Sequence, residues 1–242
     1  MPSSFGSRLQ KGFDKYGQLC VGIDPHASLL DEWALEDTVD GLKSFSFAVL
    51  EAAADRVSVI KPQVSFFERH GSRGFAVLEE LAQKAADSDI LVIMDAKRGD
   101  IGSTMDGYFD AWLGKTAPFI CDALTVNPYL GFDSLKEVMS ESIERGKGLF
   151  VLAATSNPEG RQVQRAKTGE LSVAADIYSS LEAANKVNVE ANSRIGSFGA
   201  VVGATLNLSA FGLGSIQSDA SQLTPLLAPG FGAQGAKLSD AG

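Results

Sequence analysis

Four charged side chains, Asp95, Lys97, Arg98 and Asp100, fall within six positions of the stretch MDAKRGDIGST, residues 94–104. The apolar run ILVIM (90–94) leads directly into them and reads as a buried strand. Asp95 and Lys97 are two apart, so on a strand both point to one face. Lys61 closes an earlier apolar run, VSVIKP (57–62). A charge run of this kind is usually a solvated loop, but charges at the end of a buried strand are costly unless each has a partner. Lys61, Asp95, Lys97 and Asp100 alternate in sign and can partner one another. A lysine between carboxylates stays protonated. That suits it to proton donation and suits it poorly to Schiff-base chemistry, which needs a neutral amine. A fixed carboxylate beside the ammonium repels an anionic substrate group, while the ammonium stabilises a developing carbanion. The chemistry expected is loss of a carboxylate from carbon and protonation of the carbon left behind.

Two further stretches have ligand-binding character. In APGFGAQGA (228–236), Gly230, Gly232 and Gly235 let the backbone approach a ligand and offer its N–H groups, and Gln234 can reach a phosphate or a base edge. In ATSNPEG (154–160), Ser156 ends an apolar run with a hydroxyl able to bond a polar ring, and Asn157-Pro158 starts a turn. The two histidines, His26 and His70, sit beyond strand ends in turn-like contexts, and no histidine base accompanies a serine nucleophile.

The elements that must position these groups are read from periodicity. Strands are expected in LCVGID (19–24), VSVIKP (57–62), ILVIMDAK (90–97), ICDALTVNP (120–128), GLFVLAATS (148–156), FGAVVGAT (198–205) and LTPLLAPG (223–230). Amphipathic helices are expected over 37–55, 74–88, 103–114, 132–145 and 170–192, with Ser103 and Thr104 capping the third. Strands apolar on both faces, alternating with helices, indicate a parallel sheet covered by helices. Such a series suits a doubly wound sheet or a (β/α)8 TIM barrel. The strand ends favour the barrel: Asp24, Lys61, Asp95 with Lys97, Asn127, Ser156 and Thr205 would all converge on one mouth.

The chain has 242 residues, enough for a full core, and no linker divides it, so one domain over 1–242 is expected. A net charge of −9 argues against a basic nucleic-acid surface and leaves room for a small anionic substrate if cations gather locally. No run of 18 apolar residues suggests a membrane span, and the N-terminal segment lacks the apolar core of a signal peptide. Cys20 and Cys121 make neither a disulfide framework nor a metal set. They are expected to be small buried hydrophobes in a reducing cytoplasm.

The motif DAKRGDIGST closely resembles the signature of the orotidine 5′-phosphate decarboxylase family, in its longer-chain bacterial branch. VGIDPH (21–26), IKPQVSFFERHG (60–71), VNPYLGFDSL (127–135), FVLAATSNPEG (150–160), VVGAT (201–205) and APGFGAQG (228–235) follow in the matching order, so the resemblance covers about residues 5–236. It implies a (β/α)8 barrel, a homodimer with shared active sites, no metal or cofactor, and conversion of orotidine 5′-phosphate to UMP and CO2. Carried over by position, Asp24 and Lys61 would hold the ribose hydroxyls, Asp95 would sit beside the substrate carboxylate, and Lys97 would deliver a proton to C6. Asp100, Ile101 and Thr104 would reach into the partner's site. Ser156 would contact the pyrimidine, with Asn127 among the substrate-contacting residues. Pro229, Gly230, Gly232, Gln234 and Gly235 would close over phosphate and base.

One departure stands out. The family's last strand carries a glycine-arginine pair that grips the phosphate, and only AKLSDAG follows Gly235 here. An incomplete sequence is expected, with the eighth strand missing, rather than a seven-strand protein. Three alternatives compete. One is a magnesium-dependent sugar-phosphate decarboxylase or synthase of the same superfamily, which would place an acidic residue where Lys61 stands. The others are a Schiff-base aldolase and a non-catalytic barrel that binds a phosphate ligand.

Overall fold

Residues 2–217 and 221–231 are described by the computed structural model of the chain. In chain order the elements are α1 (Phe5–Tyr16), β1 (Cys20–Ile23), α2 (Ala27–Glu32), α3 (Val39–Ala53), β2 (Val59–Pro62), α4 (Val64–Glu68), α5 (Gly71–Asp87), β3 (Leu91–Arg98), α6 (Gly102–Leu113), β4 (Ala123–Val126), α7 (Lys136–Glu144), β5 (Gly148–Ala154), α8 (Arg161–Gln164), the two-residue strands β6 (Lys167–Thr168) and β7 (Leu171–Ser172), α9 (Val173–Asn188), β8 (Phe198–Val202) and β9 (Leu226–Leu227). β6 and β7 pair as a separate antiparallel hairpin. The main sheet runs β1-β2-β3-β4-β5-β8-β9, with every pairing parallel. Each of its strands lies beside its predecessor, whereas a doubly wound sheet would reverse its order at a switch point.

Packing shows that the sheet curls. Val59, Ile93, Ala123, Phe150, Val201 and Leu227, one from each strand from β2 to β9 of the main sheet, share a single buried cluster, with Cys20 of β1 packed against it. Strands from both ends of the sheet therefore face one interior, which is the barrel arrangement expected from the sequence. The alternate residues Ile60, Met94, Leu124, Val151 and Val202 belong to the larger core between strands and helices. The main sheet has seven strands among the described residues, and the eighth strand implied by the resemblance, expected to be missing from this sequence, is not among them.

α1 plugs the barrel at the end where the strands begin. Ser4 caps it by accepting the Ser7 N–H at 3.1 Å, and its apolar stripe of Phe5, Leu9 and Phe13 points into the inner cluster. The Phe5 ring meets Phe150 edge-on at 6.0 Å between centroids. Gly148 is small because Phe5 is there: a Cβ at that position would lie 2.4 Å from the ring.

The helix expectations need three corrections. α6 begins at Gly102 under an Ile101 N-cap that makes no side-chain bond, so Ser103 and Thr104 lie in its first turn and do not cap it. The 132–145 stretch opens as a 3-10 turn, Phe132–Leu135, before α7. The 170–192 stretch starts with β7, and Ser172 then caps α9 by accepting the Ala175 N–H. Cys20 and Cys121 are free, and burial pushes both thiols up to about 12, so neither is a thiolate near neutral pH. No helix of the described residues is long and apolar enough to cross a membrane.

Phe5 is fully buried, so Phe5→Ala leaves a cavity in the barrel floor. The expected loss is about 3–5 kcal/mol of unfolding free energy, read from a denaturant titration at unchanged slope. A loss under about 1 kcal/mol would show that α1 does not plug the barrel.

Candidate active site

The alternation that places Val59, Ile93 and Ala123 inside carries the same face onward along each strand. On β2 it next presents Lys61, on β3 Asp95 and then Lys97, and on β4 Thr125; beyond β1 it presents Asp24. The polar strand ends thus meet above the inner cluster. Asp95 Oδ2 accepts from Lys61 Nζ at 3.0 Å, and Asp95 Oδ1 accepts from Lys97 Nζ at 2.6 Å. Lys61 Nζ also lies 3.7 Å from Asp24 Oδ1. The result is a chain of alternating charge, Asp24, Lys61, Asp95, Lys97.

Burial grades this chain. The Asp95 side chain is 9% exposed and that of Lys61 12%, whereas Lys97 is 43% exposed and Asp24 46%. Burial alone would raise the Asp95 carboxyl, but the Lys61 and Lys97 ammonium groups outweigh it and hold the carboxyl below its usual range. Burial likewise works to lower Lys61, and the charges of Asp95 and Asp24 reverse this and raise it. Both groups are therefore charged across the physiological range. Asp24 Oδ1 is itself buried and makes no hydrogen bond; its neighbour of opposite charge is Lys61 Nζ.

The backbone under Lys97 is distorted. The register of β3 against β4 shifts between Met94 and Arg98, and Lys97 has φ +49°. For a residue with a Cβ this left-handed region costs about 1–2 kcal/mol, and such strain gathers at functional sites. Arg98 turns to the outer layer, where it pairs with Glu68 at 2.9 Å and lies 5.6 Å from the Tyr108 ring centre.

The remaining expected residues divide. Asp100 was expected to alternate with the two lysines, but it makes no ion pair with either; its Oδ1 accepts the Ile101 N–H at 2.9 Å. It lies past the strand end, in the turn into α6. Ile101 is 60% exposed there, and Thr104 is exposed as well. Asn127 Oδ1 accepts the Tyr129 N–H at 3.0 Å and so closes its own turn. Ser156 is exposed two residues beyond β5, close against Gly203 at the end of β8. The Pro229 carbonyl accepts the Ala204 N–H at 2.9 Å, and Gly230 is buried at φ +122°, where a side chain would be strained. Gly232, Gln234 and Gly235 lie outside the described residues. His26 caps α2 by accepting the Leu29 N–H, and His70 immediately precedes α5.

Two site residues were missed by the sequence reading. Gln63 Nε2 donates to the Asp95 carbonyl at 3.2 Å and its Oε1 accepts from Lys97 Nζ at 3.4 Å. Thr125 Oγ1 donates to Asp95 Oδ1 at 2.8 Å. Period-two spacing puts both on the inner face, Gln63 two beyond Lys61 and Thr125 two before Asn127, but does not reveal that either meets Asp95.

Comparison with known proteins points to one family. The sequence model of the orotidine 5′-phosphate decarboxylase / HUMPS family matches residues 17–242. The chain is 57% identical over 238 residues to the orotidine 5′-phosphate decarboxylase of Streptomyces coelicolor, a match that takes in 98% of this chain and 82% of that protein. It is 48% identical over 242 residues to the Corynebacterium glutamicum protein of the same name, covering 98% of this chain and 83% of that one. A crystal structure of a candidate orotidine 5′-phosphate decarboxylase from Streptomyces avermitilis superposes with a TM-score of 0.88 at 53% identity, covering 98% of this chain and 80% of that chain. Leishmania donovani UMP synthase superposes with a TM-score of 0.78 at 29% identity, covering 99% of this chain and 47% of that chain.

The charge chain makes a stability prediction. The pairing of Asp95 contributes fully above the unfolded carboxyl value of about 4, and is lost as pH falls through the depressed folded value. That of Lys61 contributes fully below about 10.4 and is lost as pH rises through its raised folded value. Asp95→Asn strands a buried ammonium, so unfolding free energy near pH 7 should drop by on the order of 3 kcal/mol. The gap between wild type and variant should stay level from about pH 5 to 9 and shrink below about pH 4. Equal stabilities at pH 7, or a gap that widens in acid, would contradict the pairing.

Proposed function

The chain belongs to the orotidine 5′-phosphate decarboxylase / HUMPS family, and we propose that it converts orotidine 5′-phosphate to UMP and CO2 with the Lys97 ammonium as proton donor to C6. The observation that carries this reading is the Asp95 carboxylate held between two ammonium groups at the barrel mouth, with Lys97 the more exposed of the two. The substrate carboxylate is placed beside Asp95, where like charges repel, and C6 beside Lys97. The bond from C6 to its carboxylate carbon breaks, its electron pair stays on C6, and CO2 departs. The carbanion is stabilised by the adjacent ammonium and then takes a proton from Lys97 Nζ, which forms the C6–H bond of UMP. The neutral amine regains a proton from water. No metal or cofactor has a part in these steps, and the Lys61 ammonium between two carboxylates is ill suited to holding a cation.

The other assignments follow the same geometry. Asp24, whose side chain is half-exposed, offers its carboxylate to a ribose hydroxyl, and Lys61 beside it a second contact. Ser156 and Asn127 stand at the ends of neighbouring strands to meet the ring. Pro229 and Gly230 are assigned to the phosphate and base, together with Gly232, Gln234 and Gly235, which lie outside the described residues. Phosphate held at that distance supports the chemistry by anchoring the substrate. Asp100, which makes no ion pair with its own lysines, and the exposed Ile101 and Thr104 suit a homodimer in which each chain completes the other's site. The free thiols are in keeping with a cytoplasmic enzyme.

Lys97→Ala should lower turnover of orotidine 5′-phosphate by about 10³-fold or more while UMP still binds; rates near wild type would refute the donor role. Mixing Lys97→Ala with Asp100→Ala under subunit exchange should restore activity to about a quarter of wild type, because one site of each hybrid dimer is intact. No recovery would refute the shared site.

A further inference from the structure

We propose that Thr125 is a positioning residue for the proton donor, its hydroxyl tying the backbone and the ammonium of Lys97 to the same oxygen of Asp95. The proposal rests on the reading of Lys97 as donor. Thr125 lies on the inner face of β4 and is 1% exposed. Its Oγ1 accepts the Lys97 backbone N–H at 2.9 Å and donates to Asp95 Oδ1 at 2.8 Å. Lys97 Nζ reaches that same Oδ1 at 2.6 Å. The contacts close a ring that leaves Lys97 by its main chain, passes through the hydroxyl and the carboxylate, and returns by its side chain.

The direction of each bond is forced. An ionised carboxylate only accepts and a backbone N–H only donates, so the hydroxyl must accept from Lys97 and give its proton to Asp95. Valine and alanine can do neither, and serine can do both.

The backbone explains why a side chain is needed here. Met94 pairs with Leu124 and Arg98 with Val126, so Asp95, Ala96 and Lys97 all stand opposite the single residue Thr125. The ladder has no carbonyl for the Lys97 N–H at this bulge, and Thr125 supplies an oxygen in its place. That bond also holds Lys97 in its left-handed conformation. Thr125 has no reacting atom to touch; it acts through Lys97 and Asp95. Proton transfer is sensitive to donor placement, and a shift of about 1 Å can cost about 10²-fold in rate.

The test compares wild type, Thr125→Val and Thr125→Ser by steady-state kinetics on orotidine 5′-phosphate, with UMP affinity from calorimetry and folding from thermal melts. Thr125→Val should lose about 10²-fold in kcat while KM and UMP affinity stay within about threefold, and Thr125→Ser should recover kcat to within about threefold of wild type. Three results would overturn the proposal: full kcat in Thr125→Val, a serine variant as slow as the valine one, or UMP affinity falling in step with kcat. Should Thr125→Val not fold, Thr125→Cys takes its place, because a thiol weakens both bonds. Cysteine and serine variants of equal kcat would then overturn the role. An inactive wild type would sink the decarboxylase reading, whereas an active wild type matched by an active valine variant sinks only the positioning role.

Discussion

A carboxylate buried between two ammonium groups is the constraint on which the rest depends. Asp95 alone at its depth would tend to take up a proton, and Lys61 alone would tend to lose one. Paired, each keeps the other charged, and together with Asp24 and Lys97 they make an ordered row of charge at a surface open to a ligand. Such a row is poor value as a stabilising device, since apolar replacements usually do as well. On the proposed reading its role is chemical: it brings a fixed negative charge and the proposed proton donor within one hydrogen bond of each other.

The barrel exists, in this respect, to hold that row. Each strand contributes one or two inner-facing residues, and the parallel register sets their heights. β1 and β2 pair Gly22 with Lys61, and Gln63 bridges to Asp95, so the charged layer forms directly above the apolar one. α1 closes the opposite end with Phe5 and Leu9, which keeps that apolar layer dry. At the far side of the sheet, Glu182 of α9 accepts from the Leu223 and Thr224 N–H groups and from the Thr224 hydroxyl, fixing the approach to the short β9. β9 itself pairs with β8 through only two residues.

Much of this was legible in the sequence. Strands apolar on both faces stand out as unbroken runs, and six of the seven strands of the main sheet fall inside the runs expected, with β3 extending one residue beyond its run to Arg98. The shared face of Asp95 and Lys97 followed from period two alone. What escaped depends on neighbours far along the chain. The β3 bulge carries no glycine to announce it, and Lys97 adopts its left-handed backbone with an ordinary side chain. Thr125 matters only because β4 lies beside that bulge, and Gln63 only because β2 does. α1 escaped notice because its apolar stripe is a single thin line among polar residues and glycines. The reading of Asp100 divides: sign alternation along the sequence grouped it with the lysines, with which it makes no ion pair, while its place three residues past Lys97 is off their face, and there it lies in the turn into α6.

The most direct measurement is a crystal structure of the protein with UMP bound. The account predicts Lys97 Nζ within about 3.5 Å of C6, with Asp95 on the same side of the ring and still paired to Lys61. A ring whose C6 faces away from Lys97, with the ammonium turned out to solvent, would contradict it.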